Sequence, residues 1–338
     1  MFTDLIRRPL IVAPMGGGPS TTALIAAATS AGATGFVAAA YQSAGAMREQ
    51  IEAVRAATAE AFGVNVFVPG SPAADGPAVR GYLAGLAADA EAAGAALGPP
   101  RWDDDDWEAK IADLIARPVP VVSFTFGCPD REIMTALRAA GSSVWVTVTS
   151  VAEARAAGAA GADGLCAQGA EAGAHRGTFG NDDEALRPGA GVLDLVAAIR
   201  GGTSLPVVAA GGIMDATGVR AALAAGASAV QCGTAFLRCP ESGAHPVHKA
   251  ALADGRFTAT ALTRAFSGRP ARGLVNAFLL AHRDAPAGYP EINNATRPVR
   301  AAAAAAGNAD RMSLWAGQGF RAATQRPAGE VAESLLSL

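Results

Sequence analysis

Short runs of β-branched and other apolar residues alternate with longer, alanine-rich stretches over most of this chain. Residues 10–14, 34–38 and 64–68 read as strands, with helices at 21–30 and 46–59 between them. The alternation resumes with strands at 119–125, 144–148, 164–167, 206–210 and 229–232, and with helices at 131–139, 151–157, 193–199 and 216–224. About eight strands result, the number that a parallel (β/α)8 barrel needs, and their continuous apolar character suits strands buried on both faces. A doubly wound open sheet is the rival architecture. Glycines near the ends of the later helices, Gly141, Gly158, Gly161 and Gly226, suit left-handed caps that turn the chain back, and this regularity favours the barrel.

Two segments break the rhythm. The stretch from Pro69 to Arg117 is too long for one crossover and reads as a helical insertion around 70–117. Its acidic run, Asp103 to Asp106 between Trp102 and Trp107, reads as a solvated helix start rather than a metal site. Carboxylates there offset the helix dipole, and no histidine is near. Beyond Pro240 the pattern turns mainly helical, with Ala301 to Ala306 as plain helical scaffold. The expectation is an α/β TIM barrel over residues 1–240 and a smaller, mainly helical part, 241–338, covering its mouth.

Composition narrows the partners. The chain has 338 residues, 51% of them hydrophobic, so it can bury a large core. A net charge of −3, with no basic run interleaved with aromatics, argues against nucleic acid and acidic membrane surfaces. The opening Met1-Phe2-Thr3-Asp4, followed by Arg7-Arg8-Pro9, lacks the apolar core of a signal peptide, and no apolar stretch reaches membrane-spanning length. The expectation is a cytoplasmic monomer or homodimer. The four cysteines, Cys128, Cys166, Cys232 and Cys239, form no CxxC pair and read as reduced thiols that pack or edge a pocket.

Candidate chemistry concentrates just after strands. Loops at the C-terminal ends of barrel strands build active sites, and phosphates tend to sit after the seventh and eighth strands. Those loops here contain Gly211-Gly212 and Gln231-Cys232-Gly233-Thr234, which offer glycine amides and a hydroxyl to an anion. The loop after the first strand, Met15-Gly16-Gly17-Gly18, lets a flat ring lie against backbone. Asn65 is an amide in an apolar strand, and it either meets a ligand or ties neighbouring strands. Gln168 ends the sixth strand with a donor and an acceptor, as the edge of an isoalloxazine ring demands. Gln168 to Gly177 then carries Gly173 and His175, a histidine among glycines where a proton-transfer group would stand. His245 and His248 could suit a metal by spacing but read better as a helix start, and His282 reads as surface or interface. Arg176 is open between a phosphate, a substrate nitro group and Glu171, and Tyr289 is a candidate to close the pocket.

The motifs, in order, are Ala13-Pro14-Met15-Gly16-Gly17, Phe62-Gly63-Val64-Asn65-Val66, Ser123-Phe124-Thr125-Phe126-Gly127, Gln168 to Gly177, the double glycine, Gln231 to Thr234, and the tail Leu314 to Gly319. This series resembles the nitronate monooxygenases, across nearly the whole chain. The resemblance implies a TIM barrel, non-covalent FMN, and oxidation of small alkyl nitronates by O2 to a carbonyl compound and nitrite. It also implies FMN contacts at Met15, Gly16, Gly17, Asn65, Gln168, Gly173, Gly211, Gly212, Gln231, Cys232, Gly233 and Thr234, with His175 as the catalytic residue. One departure is Gly173-Ala174, where the family commonly has two glycines; the added methyl would crowd the flavin edge or restrict the loop. The alternatives are an FMN-dependent NAD(P)H reductase like the flavin-type enoyl-acyl-carrier-protein reductases, and a flavin-binding protein without activity. Arg176-Gly177 after the histidine is similar to the monooxygenases, whereas the reductases carry an aliphatic residue there. No GxGxxG follows the first strand, which argues against a Rossmann dehydrogenase.

Overall fold

The computed structural model describes residues 5–73, 76–187 and 189–338; Met1 to Asp4 lie outside it. Eight parallel strands form one sheet: β1 (Leu10–Val12), β2 (Phe36–Ala38), β3 (Gly63–Phe67), β4 (Val121–Thr125), β5 (Ser143–Val148), β6 (Gly164–Gln168), β8 (Val207–Ala210) and β9 (Ala229–Cys232). β7 (Ala174–His175) belongs elsewhere. The sheet runs β1-β9-β8-β6-β5-β4-β3-β2, and it closes where Thr34, just before β2, bridges Ile11. There the Val12 N–H donates to Thr34 O at 2.9 Å and the Thr34 N–H to Leu10 O at 2.9 Å. Closure excludes the open-sheet rival. Helices α1 (Thr22–Ser30), α2 (Ala44–Ala57), α5 (Trp107–Ala116), α6 (Arg131–Ala140), α7 (Val151–Ala160), α8 (Val192–Arg200) and α9 (Ala216–Ala224) lie between successive strands. The insertion adds α3 (Pro77–Gly85) and α4 (Ala87–Ala92).

Side chains alternate along each strand, so every second residue faces the barrel interior. At the floor these residues are large and apolar: Ile11, Phe36, Val121, Trp145 and Val208 pack together. Two glycines make the room. Gly63 is in register with Phe36, and a Cβ on it would stand 2.2 Å from that ring; Gly164 is in register with Trp145, whose ring would be 3.1 Å away. Two residues further up the same strands the interior turns polar, with Asn65, Ser123 and Thr147, and Gln168 follows four residues beyond Gly164. The apolar floor holds the barrel shut, and the polar upper layer forms the base of a site.

Gly141 and Gly161 cap α6 and α7 in the left-handed conformation, and Gly226 takes φ 102 just after α9. Gly158 does not turn the chain; it lies inside α7.

Residues 241–338 carry helices α10 (Pro246–Ala251), α11 (Ala277–Ala281), α12 (Glu291–Ala305) and α13 (Ala328–Leu335), as a mainly helical cover should. They also carry a hairpin that the helical reading lacks, β10 (Thr260–Thr263) against β11 (Ala271–Leu274). β11 pairs in turn with β7, placing Ala271 opposite His175 and Arg272 opposite Ala174. The loop bearing His175 is therefore a strand of the cover's sheet. No helix among the described residues is long and apolar enough to cross a membrane.

The acidic run is a helix start with Asp103 and Asp106 exposed, as expected, whereas Asp105 is half-buried. Lys110, fully buried, pairs with Asp105 Oδ2 at 2.8 Å. Asp105 Oδ1 accepts the Tyr41 N–H at 2.9 Å, and Asp106 Oδ2 accepts the Ala44 N–H at 3.0 Å at the start of α2. For His282 the interface reading holds rather than the surface one: its Nε2 meets Asp89 Oδ2 at 2.9 Å and its ring packs on Phe278 and Tyr82, tying insertion to cover.

Candidate active site

A cavity of about 410 Å³ opens at the C-terminal ends of the barrel strands. Every residue named above for cofactor contact lines it, and so does His175. The loops after β8 and β9 are shaped for an anion. Gly211 and Gly212 take φ 124 and 71, and a Cβ on Gly212 would lie 2.9 Å from the Glu171 Cβ, so no other residue fits without movement. The amides of Gly212, Gly233 and Thr234 make no internal hydrogen bond among the described residues, leaving donors for an acceptor in the cavity. Thr234 Oγ1 accepts the Gly317 N–H at 3.0 Å and keeps its own proton to donate. Gly17, at φ 81, has open space beside it.

Of the two roles foreseen for Asn65, the structure displays the tying of neighbouring strands. The Asn65 Nδ2 donates to Ser123 O at 3.2 Å, Ser123 Oγ at 2.9 Å and Thr125 Oγ1 at 3.1 Å, tying β3 to β4. Its Oδ1 has no partner among the described residues and is not among the sealed, unpaired polar atoms, so it opens on the cavity that Asn65 lines. Gln168 and Gly173 reach the cavity with other partners than a ring. Gln168 Nε2 donates to His175 O at 3.0 Å and its Oε1 accepts the Gly177 N–H at 2.7 Å, so this amide holds the histidine loop. Gly173 is glycine because its Cβ would stand 2.4 Å from Gly317 N. Ala174 takes φ 63 and is exposed, so the departure from glycine loads the backbone of this loop.

His175 stands in an aromatic enclosure. Phe126, Tyr289 and Trp315 have ring centroids at 5.8, 5.7 and 5.6 Å from its own. Nε2 lies 2.9 Å from Ser267 Oγ. Burial, then the cations of Arg269 and Arg300, push its imidazole down to about 3, so the ring is neutral at neutral pH. Arg269 lies 3.8 Å over the Phe126 ring and donates to Thr178 O. Tyr289 does not line the cavity; it packs on His175 and donates to the hydroxyl of Tyr41, which does line it, at 3.3 Å. Tyr41 is itself in the left-handed region, at φ 65, where Asp105 holds its N–H; burial raises its phenol to about 12.

The cavity wall includes Arg297 and Arg300 and no carboxylate among the described residues, a field that favours anions. Arg300 is anchored by Asn293 O at 2.9 Å and Asn293 Oδ1 at 2.8 Å. His245 caps α10 through Nδ1, as a helix start should, and His248 lines the cavity with Nε2 3.1 Å from Trp315 O. No cluster of metal-ligating side chains occurs among the described residues. Arg176 does not pair with Glu171 among the described residues and is not part of the cavity wall: its Nη1 donates to Arg187 O at 2.6 Å. Cys166 and Cys232 line the cavity, whereas Cys128 does not.

Tyr41, Ser267, Arg269, Arg300 and Asp105 escape the sequence reading. Tyr41, Asp105, Ser267 and Arg269 take their places through partners far along the chain, Arg300 through Asn293 on its own helix, and no local pattern marks any of them.

Comparison with known proteins gives consistent matches. The model of the nitronate monooxygenase family matches residues 1–337. A nitronate monooxygenase of Pseudomonas aeruginosa is 42% identical, over 99% of this chain and 97% of its own. A probable nitronate monooxygenase of Staphylococcus aureus is 37% identical, over 98% of this chain and 94% of its own. Among solved structures, a nitroalkane oxidase from Streptomyces ansochromogenes superposes with a TM-score of 0.96 at 50% identity, covering 99% and 96% of the two chains. FabK from Thermotoga maritima is more distant, with a TM-score of 0.73 at 27% identity over 99% and 94%.

Proposed function

The chain belongs to the nitronate monooxygenase family, and from that premise we propose that it binds FMN at the barrel mouth and oxidises alkyl nitronates with O2 to a carbonyl compound and nitrite. The observation that carries this reading is that His175 lines the same cavity as both glycine loops. The residues present fit the cofactor. Gly211, Gly212, Gly233 and Thr234 would hold its phosphate through amides that have no other acceptor, and Met15, Gly16 and Gly17 would flank the flat ring. Asn65 Oδ1 would accept a ring N–H. When bound, FMN supplies the electron transfer and passes electrons to O2, chemistry that no side chain here provides.

The chain's own groups bind, orient and move protons. Arg297 and Arg300 draw an anionic nitronate into the mouth. The rings of Phe126, Tyr289 and Trp315 exclude water around His175. The neutral imidazole of His175 can take the α-proton of a nitroalkane, whose nitro group absorbs the charge. Likeness to a nitroalkane oxidase supports adding neutral nitroalkanes to the substrate class.

A nitrite-release assay in air, with and without NADH, tests the reading. Yellow protein that forms nitrite from a nitronate without NADH is the expected result. Protein that forms no nitrite and consumes NADH instead would return the assignment to the reductases.

A further inference from the structure

Which nitrogen of His175 faces the substrate is decided away from the cavity, by a serine on the cover. Ser267 lies between β10 and β11 and is 1% exposed, and its Oγ sits 2.9 Å from His175 Nε2. A hydroxyl has one proton to give, and two acceptors compete for it: His175 Nε2 at 2.9 Å and the Arg269 carbonyl at 3.1 Å. If the proton went to Nε2, the carbonyl of buried Arg269 would lose the one donor it has among the described residues. An unsatisfied buried carbonyl costs about 1–3 kcal/mol. If the proton goes to Arg269 O, the Ser267 oxygen accepts the Nε2–H, and His175 Nε2, Ser267 Oγ and Arg269 O are all satisfied.

The other ring nitrogen has a different setting. Nδ1 makes no hydrogen bond among the described residues, yet it is not among the sealed, unpaired polar atoms, so it opens on the cavity that His175 lines. At neutral pH the resting ring does not evade the choice by holding two protons, because burial, and then the nearby cations of Arg269 and Arg300, keep it neutral.

We propose that Ser267 is a positioning residue that fixes His175 as the Nε2–H tautomer, so that the Nδ1 lone pair is the atom presented to the substrate. This rests on the reading of His175 as the group that acts on the nitro compound. The relay Nε2–H to Ser267 Oγ to Arg269 O is the means. Ala271 and Arg272 of β11 pair with His175 and Ala174 and keep this hairpin against β7, so tautomer and loop position are set by one element.

The chain has four histidines, which makes the ring protons accessible to a direct test. The holoprotein, labelled with ¹⁵N at histidine, is examined at pH 7 by long-range nitrogen–proton correlation, with His175 assigned by its absence in His175→Asn. A pyridine-like Nδ1 and a pyrrole-like Nε2 are expected. The reverse pattern overturns the proposal. In Ser267→Ala both tautomers become visible, and kcat on a neutral nitroalkane falls roughly tenfold or more with KM within about threefold, the loss characteristic of a misdirected base. Ser267→Thr keeps the hydroxyl and restores the wild-type ring pattern. A Ser267→Ala protein with the wild-type pattern and unchanged kcat would also overturn it. The nitrogen spectrum needs no turnover, so absent nitrite with the expected ring pattern would fail the functional reading and leave the tautomer standing.

Discussion

The two walls of the cavity are built on different principles. The barrel wall is mostly backbone and short polar side chains: glycine loops after β1, β8 and β9 over an upper layer holding Asn65 and Gln168. Its groups are neutral, and its geometry is set by strands buried on both faces. The cover wall is side chains on elements joined late in the chain, with Arg297, Arg300, His248 and Trp315 at the cavity and Ser267, Arg269 and Tyr289 around His175. Neutral amides suit a fixed cofactor, which must be held in one pose. Cations and aromatic rings suit a substrate that enters, changes charge and leaves. His175 stands where the walls meet, in a strand that follows the barrel's β6 and pairs with the cover's β11.

If that division is right, damage to each wall should be read by a different ligand. The largest effect belongs to the barrel wall. Gly212→Val forces a β-branched residue into φ 71 and against the Glu171 Cβ. FMN affinity should fall by roughly 100-fold, about 3 kcal/mol, in a barrel that still folds by circular dichroism. Fluorescence titration with FMN measures it, and unchanged affinity would dissociate this loop from the cofactor.

A lesion in the insertion, away from the glycine loops after β8 and β9, should spare FMN. Asp105→Asn removes the carboxylate from buried Lys110 and loosens the support of Tyr41. Stability should drop by about 2–3 kcal/mol, less than for a fully buried pair because Asp105 is partly exposed. KM for a nitronate should rise by roughly fivefold, about 1 kcal/mol, with FMN affinity unchanged. Denaturant melts and initial rates on one preparation would show whether the two ligands separate.

The pH dependence of stability sharpens the same contrast. His175 and His248 are held down to about 3 and 4, each mainly by burial. Below about 6.5 the unfolded chain binds protons that these rings refuse in the fold, so stability falls as pH drops and flattens below about 3. Asp105, raised to about 6 by burial with Lys110 opposing, acts in the other sense. Between about 6 and 4 its folded form takes up a proton more readily than its unfolded form, offsetting part of the loss. Unfolding midpoints from pH 7 to 4 should therefore decline, and more steeply in Asp105→Asn. A flat profile would mean that the rings titrate freely.

The smallest effect lies where the walls join. Ala174 at φ 63 should gain about 1 kcal/mol on mutation to Gly, because relief of the left-handed strain exceeds the added chain entropy. A melting temperature that falls instead would mean that the methyl is packed.

The same contrast explains what could be read in advance. A backbone that must take positive φ or approach another chain closely leaves glycine in the sequence, so Gly211, Gly212 and Gly17 could be located from their spacing after strands. Closure of the barrel was legible because eight buried strands leave eight apolar runs. Gln168 and Gly173 were found at the right place, but their partners, the His175 carbonyl and Gly317 N, belong to tertiary structure. The hairpin β10–β11 was not legible, since Ala271-Arg272-Gly273-Leu274 has the composition of a loop and is a strand because Arg272 reaches Ala170 O and Thr260. Tyr41 carries no mark at all: its position depends on Asp105, 64 residues away.

The account rests on His175 acting across the junction of the two walls on a substrate beside FMN. The most direct test is nitrite released per bound flavin by the wild type and by His175→Ala, measured with a saturating nitronate in air. Full flavin occupancy in both proteins, with turnover lower by about 100-fold or more in the variant, is the predicted result. Equal turnover at equal flavin content would contradict it.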